Sequence, residues 1–243
     1  YEIETGRVVP QEYDGNSVMD PAHVNWSPFY NQQNANYPLM NRLFAVPQYR
    51  QRYLAHLRTM INEAFDTASA YQLINTYKTL IDTMVQNDPK KLYSYSAFQS
   101  EINVLKNFIQ NRRNYLLANS EVNQTGPAVS TTAYFTNGVQ WDPPADNEQV
   151  TVRANVTSNN GISAVRLYFA TGIVGNFSTV DMFDDGLHDD GAAGDGVYGA
   201  NIPGLAAGTW VRFYVEAASA NTAQTVTYDP PGAEHNVYIY LVD

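Results

Sequence analysis

The stretch Ser120-Glu121-Val122-Asn123-Gln124-Thr125-Gly126-Pro127 separates two hydrophobic patterns in this chain of 243 residues. From about residue 38 to residue 119, apolar residues recur every three or four positions, which is the spacing of amphipathic helices. Beyond the stretch they recur every second position, as in Val211, Phe213 and Val215, which is typical of strands with one buried face. The stretch itself has no periodicity and contains glycine and proline, so we predict a linker between two domains.

The fold is therefore predicted to be a two-domain α + β arrangement. Residues 1–122 form an N-terminal helical bundle, residues 123–127 the linker, and residues 128–243 a seven-stranded β-sandwich of the immunoglobulin or fibronectin III type. Seven short strands separated by turn-rich segments favour that architecture. The strands are expected at 129–136, 150–156, 165–169, 177–183, 196–202, 211–217 and 237–241.

Three helices are expected in the bundle. Their apolar rows are Leu54, Leu57, Ile61, Phe65, then Leu73, Tyr77, Leu80, Met84, then Phe98, Ile102, Leu105, Ile109, Leu116. Pro47 predicts a first-turn position, Ser69-Ala70-Tyr71-Gln72 and Ser96-Ala97-Phe98-Gln99 predict capping boxes, and Asp88-Pro89 predicts a break. The chain opens on Tyr1 with a predicted hairpin in residues 2–10, so the remaining apolar face of the bundle is expected to cover a missing upstream part of the same protein.

The charge and composition of the chain indicate where the protein is located and which partners it can bind. Residues 1–125 carry 11 basic and 11 acidic side chains, whereas residues 126–243 carry 3 and 13, which gives the net charge of −10. The acidic half should repel nucleic acid and anionic lipid and attract divalent cations. Cysteine is absent and no apolar run is long enough to span a membrane. Abundant Tyr, Asn and Thr with little Lys predict an extracellular or bacterial cell-surface protein.

An acidic segment between two predicted strands is a candidate metal site. Its five carboxylates belong to Asp184, Asp185, Asp189, Asp190 and Asp195. Interleaved glycines allow the backbone to turn tightly enough for several oxygens to converge, as Ca²⁺ requires with its six to eight oxygen ligands. The spacing is not that of an EF-hand. Two interpretations stay open: a Ca²⁺ site, or a solvated acidic loop whose Gly and Asp residues only satisfy turn geometry.

The helical region resembles a known family in three segments: Pro38-Leu39-Met40-Asn41-Arg42-Leu43, residues 49–63, and Asn111-Arg112-Arg113-Asn114-Tyr115-Leu116. They are similar to the C-terminal helices of the CotH spore-coat kinases, which are atypical secreted protein kinases. The resemblance covers roughly residues 1–120, the rear part of that catalytic domain. It implies that Asp14 and Asn16 stand where the family binds metal beside the nucleotide phosphates of Mg-ATP. The alternative for this Asp-Gly-Asn segment is an ordinary turn.

Two hypotheses of function follow. The first is a non-catalytic structural or interaction module of an exported protein, derived from a CotH kinase-like protein, which assembles with itself or with other surface proteins. The alternative is a fragment of a secreted kinase that phosphorylates extracellular proteins with Mg-ATP when its upstream lobe is present. This chain alone is expected not to be an enzyme, because phosphoryl transfer requires several groups to be positioned at once.

Overall fold

The computed structural model describes residues 18–243, which form two compact units, residues 18–124 and residues 125–243. The hairpin predicted in residues 2–10 and the pair Asp14 and Asn16 lie outside the described residues. Nothing in the part of the chain that is described forms a helix long and apolar enough to cross a membrane.

Residues 18–124 contain four α-helices rather than the three predicted. They follow a short 3₁₀ turn, Pro21–His23, and are α1 (Pro38–Ala45), α2 (Pro47–Glu63), α3 (Thr67–Asn87) and α4 (Tyr95–Leu117). The extra helix is α1, which ends before the predicted start at Pro47; Val46 between the two helices has an extended backbone (φ −94°, ψ 114°). The ring of a proline disfavours helical geometry in the residue before it. The predicted first-turn position of Pro47 and the break at Asp88-Pro89 are confirmed.

The two predicted capping boxes are wrong by two or three residues. The N-cap of α3 is Asp66, whose carboxylate accepts a hydrogen bond from the backbone N–H of Ser69 at 2.9 Å. The N-cap of α4 is Ser94, whose hydroxyl accepts from the N–H of Ala97 at 3.1 Å. Each helix therefore begins before the serine that was predicted to cap it.

Helix α4 packs against both α2 and α3. One apolar cluster joins the loop before α1 to α2 and to the end of α4, and its buried members are Phe29, Leu54, Ile61, Leu116 and Val122. A second cluster joins α3 to α4, and its buried members are Ala70, Phe108 and Ile109. Helix α3 thus contributes far less to the core than α2 does.

Residues 125–243 form a sandwich of two antiparallel sheets with nine strands rather than seven. The strands are β1 (Ala128–Thr136), β2 (Val139–Gln140), β3 (Val150–Thr157), β4 (Ile162–Thr171), β5 (Ser178–Asp181), β6 (Val197–Ile202), β7 (Trp210–Ser219), β8 (Val226–Asp229) and β9 (Tyr238–Leu241). One sheet has the order β2-β1-β3-β6 and the other β5-β4-β7, with β8 and β9 both paired to β7. The additional strands, β2 and β8, are short.

The core of the sandwich lies between the two sheets. Alternate residues of β7, among them Val211, Phe213 and Val215, are fully buried and pack with Val152 of β3 and Leu167 of β4. The alternation seen in the sequence therefore marks the inward faces of the strands. Each fully buried aliphatic or aromatic side chain stabilises the unit by about 1.5–3 kcal/mol.

Candidate functional site

The acidic segment forms the connection between β5 and β6. It is held against β6 by the backbone pair Phe183 and Gly199, which exchange N–H···O hydrogen bonds of 3.0 and 2.8 Å. A Cβ atom on Gly199 would lie 2.3 Å from the carbonyl oxygen of His188 and 3.1 Å from the Cβ of Asp190. Only glycine at position 199 therefore allows the connection to lie this close to β6.

Asp190 is the buried centre of this acidic loop, which we define as residues 182–196. The residue is 1% exposed. Oδ2 accepts hydrogen bonds from the N–H of Asp185 at 2.7 Å and of Gly186 at 2.9 Å, and Oδ1 accepts from the N–H of His188 at 2.9 Å. Burial alone would raise the pKa of Asp190, but these backbone donors outweigh it and hold the pKa below its ordinary value.

Asp184 and Asp195 join the two ends of the loop. Asp184 Oδ1 accepts from the N–H of Gly194 at 2.7 Å, and its Oδ2 accepts from the N–H of Gly196 at 3.0 Å. Asp195 accepts from the N–H of Ala192 at 3.0 Å and of Val197 at 2.9 Å. Both carboxylates therefore take the place of backbone acceptors in a segment that has no regular ladder.

The other two aspartates of the loop have different partners. Asp185 Oδ1 lies 2.9 Å from Nδ1 of His188 and accepts from the N–H of Leu187 at 2.9 Å. The hydrogen bond with His188, followed by the one from Leu187, lowers the pKa of Asp185. Asp189 has a left-handed backbone (φ 55°), and its Oδ2 accepts from the hydroxyl of Thr151 on β3 at 3.3 Å.

The structure thus places all five predicted aspartates in one loop, where four of them bind backbone amides of the same loop. Within residues 18–243, no three His, Asp or Glu side chains form a group that could hold a metal ion. The amide hydrogen bonds shape the loop by themselves, and Oδ2 of Asp190 and Oδ1 of Asp184 each already accept two of them. Binding of Ca²⁺ by Asp184, Asp185, Asp189, Asp190 and Asp195 stays a prediction.

A second candidate site is the solvent-facing side of α3. Leu73, Tyr77, Leu80 and Met84 are 55%, 58%, 65% and 66% exposed. They follow one another at intervals of four, three and four residues, so they form one continuous row along the helix. We call this row the α3 stripe. The structure describes all 21 residues of α3, and Ala70 is the only one of them that is buried.

The charged residues of α3 lie away from the stripe. The sequence of the helix contains only two, Lys78 and Asp82, which pair with each other at 3.8 Å. Asp82 also accepts from the hydroxyl of Tyr95 at 2.9 Å and from Nε2 of Gln99 at 2.8 Å, both on α4. Asp82 is therefore held against the neighbouring helix with Lys78 beside it, and the stripe contains no charged residue.

Two more apolar side chains are exposed shortly after the end of α3. Leu92 and Tyr93, in the connection between α3 and α4, are 92% and 78% exposed. They follow the end of α3, beyond Met84. The helical period of the sequence predicted the row of the α3 stripe but not these two residues, because a pair of apolar residues in a connection has no periodic signal.

Arg50, Arg112 and Arg113 are structural in this unit. Arg112 Nη1 donates to the carbonyls of residues 24 and 26, and Arg113 Nη1 donates to the carbonyl of Ile61 near the end of α2. Arg50 donates two hydrogen bonds to Glu121 at 2.6 and 2.7 Å, and its guanidinium lies 3.9 Å from the ring centroid of Phe29. These contacts fix the irregular segments to the helices.

Comparison with known proteins describes both units. Residues 3–116 match the family model "CotH kinase protein", and residues 145–226 match the model "conditioned medium factor 2nd Ig-like domain". No curated protein matches. Among solved structures, a Br derivative of BhCBM56 is 11% identical with a TM-score of 0.29, covering 48% of this chain and 99% of that chain. The C-terminal domain of wzt is 16% identical with a TM-score of 0.34, and the match covers 49% of this chain and 75% of that chain.

Proposed function

Because the chain joins a CotH kinase-like region to an Ig-like domain, we propose that it is a non-catalytic interaction module of an exported protein, and that α3 binds a protein partner. The α3 stripe carries this proposal. Its four side chains are each more than half exposed, although a helix of a folded domain normally turns its apolar row to the core.

The size of the exposed surface supports a binding role. Together with Ile81, which is 38% exposed, the stripe presents on the order of 500 Å² of apolar surface, as much as the largest such patch on a typical monomer. Removing it from water would contribute roughly 10 kcal/mol at the usual 25 cal/mol per Å². Much of that offsets the loss of freedom on association, so the expected contact is specific but of ordinary affinity.

The proposed setting is the outside of a cell. A chain with 18 tyrosines, no cysteine and 14 basic residues has the composition that we associate with bacterial surface proteins. In that setting the Ig-like sandwich would space or present the helical unit, and the partners would be copies of the chain or other exported proteins.

Site-specific photo-crosslinking in the native host tests the proposed function. A benzoylphenylalanine in place of Tyr77 is expected to give a discrete crosslinked protein, whereas the same residue in place of Ile173 is not. Ile173 is a matched control because it is 78% exposed but lies in the loop after β4. If position 77 yields no more crosslinked product than position 173, α3 is not a binding surface.

A second candidate function rests on the match to the CotH kinase model, which includes Asp14 and Asn16. In this alternative, the two residues hold Mg-ATP in a complete kinase whose other groups come from elsewhere. Calorimetry with Mg-ATP is expected to show weak binding or none for this chain. Micromolar binding that is lost in Asp14→Ala would favour the kinase over the non-catalytic module.

A further inference from the structure

Resting on the proposed function, we infer that the partner of α3 is a second copy of this chain, whose own α3 lies antiparallel to the first. The two helices would then bury the same stripe against itself across a twofold axis. Such isologous contacts are the commonest form of soluble oligomer, since a single patch serves both copies.

The spacing of the stripe is symmetric in both directions. Leu73, Tyr77, Leu80 and Met84 are separated by four, three and four residues, and the same sequence of intervals results when the row is read backwards. A twofold axis midway between Tyr77 and Leu80 therefore places each against the other on the partner helix, and Leu73 against Met84. This alternation of three and four is also the spacing that lets two helices interlock along a shared seam.

The charged residues of α3 do not oppose a contact between two copies of the helix. Lys78 and Asp82 lie away from the α3 stripe and pair with each other at 3.8 Å, so the seam between the two helices contains no charged residue. The intrahelical pair of Lys78 and Asp82 also leaves α3 without net charge. Although the whole chain carries −10, its excess of acidic residues lies in the sandwich half, away from this helix in sequence.

The area available is sufficient for a stable dimer. The α3 stripe and Ile81 supply on the order of 500 Å² per copy. In the antiparallel arrangement, the connection that follows α3 and contains Leu92 and Tyr93 would adjoin the start of the partner's α3. Their exposures of 92% and 78% bring each copy close to the roughly 800 Å² per partner of a standard interface.

Sedimentation velocity of the full chain between about 1 and 100 μM, a range that brackets ordinary affinities, tests the inference. The parent chain is expected to dimerise, and Leu80→Glu is expected to weaken dimerisation at least about tenfold because it buries an unpaired charge at the centre of the seam. Ile173→Glu, which adds the same charge at an exposed apolar position of the sandwich, should leave the dimer unchanged. Circular dichroism checks that each variant is folded, and Leu80→Gln replaces Leu80→Glu if that variant is not.

Disulfide trapping tests the direction of the helices, since the chain has no cysteine of its own. A mixture of Tyr77→Cys and Leu80→Cys chains is expected to crosslink faster than either variant alone. Faster crosslinking of the single variants would indicate a parallel pair and overturn the antiparallel arrangement. A parent chain that stays monomeric at 100 μM would overturn the dimer itself. If position 77 still photo-crosslinks a different protein, the proposed function survives this failure; if it crosslinks nothing, both fail.

Discussion

Asp190→Asn should destabilise the sandwich although it removes one of five crowded negative charges. The carboxylate accepts three backbone N–H groups at 2.7–2.9 Å, and the residue is 1% exposed. An amide has one acceptor oxygen, so at least one buried N–H, that of His188 or those of Asp185 and Gly186, would face an NH₂ group. An unsatisfied buried donor costs about 1–3 kcal/mol. A loss of about 2 kcal/mol corresponds to a fall in Tm of about 6–10 °C for a unit of this size.

Differential scanning calorimetry of the full chain measures this loss, with Asp189→Asn as the matched control. The control removes the same charge from the same loop, but asparagine tolerates the left-handed backbone of residue 189. Its effect should stay within about 0.5 kcal/mol. If charge repulsion rather than amide binding governed the loop, the two variants would be equally stable or both more stable than the parent. Equal melting temperatures for Asp190→Asn and Asp189→Asn would therefore refute the reasoning.

The pH dependence of the same variant has a defined sign. Because the pKa of Asp190 is lowered in the folded chain, its stabilising contribution is fully present above the unfolded value near 3.9. It is lost as the pH falls through the lower folded pKa. As the pH falls below about 4, Asp190→Asn should therefore lose less stability than the parent chain, and parallel curves would contradict the assignment.

Three further predictions concern the same loop and the helical unit. Gly199→Ala should cost about 2 kcal/mol or more, because its Cβ would meet the carbonyl oxygen of His188 at 2.3 Å; a calorimetric Tm equal to the parent's would contradict this. Glu121→Gln should destabilise the helical unit by about 1 kcal/mol in urea unfolding, since it weakens the paired hydrogen bonds from Arg50, while an unchanged midpoint would mark the pair as incidental. If the five aspartates bind Ca²⁺ only in the folded chain, excess Ca²⁺ should raise the Tm above its value in NaCl of equal ionic strength. Equal Tm values in EDTA and in Ca²⁺ would show that the loop is not a Ca²⁺ site.

Hydrophobic period was enough to predict the type of each unit. The change from a helical period to an alternating one predicted helices before the linker and a sandwich after it, and both are found. In the helical unit the period missed α1, a helix of eight residues none of which is buried, so it has no apolar row facing a core. The capping residues were misplaced because serine and aspartate occur at several adjacent positions, and side-chain direction decides which of them caps.

The candidate sites show where a sequence pattern stops being informative. The row Leu73, Tyr77, Leu80 and Met84 was visible as a helical face, but periodicity does not say whether such a face meets the chain's own core or another molecule. The five aspartates were visible as a cluster, but a cluster does not reveal that Asp190 and its neighbours are occupied by amides of their own loop. Both distinctions depend on tertiary contacts, which a local pattern does not encode.

Thiol labelling in the native host tests the binding role of α3 most directly. A single cysteine at Leu80→Cys is the only thiol of the chain, and its reaction with a maleimide can be timed in the dilute purified protein and in the host. Slow labelling in the host with fast labelling in dilute solution is expected, while Ile173→Cys should react equally fast in both. Equal rates for Leu80→Cys in the two settings would show that α3 stays uncovered, and would contradict its role as an interaction surface.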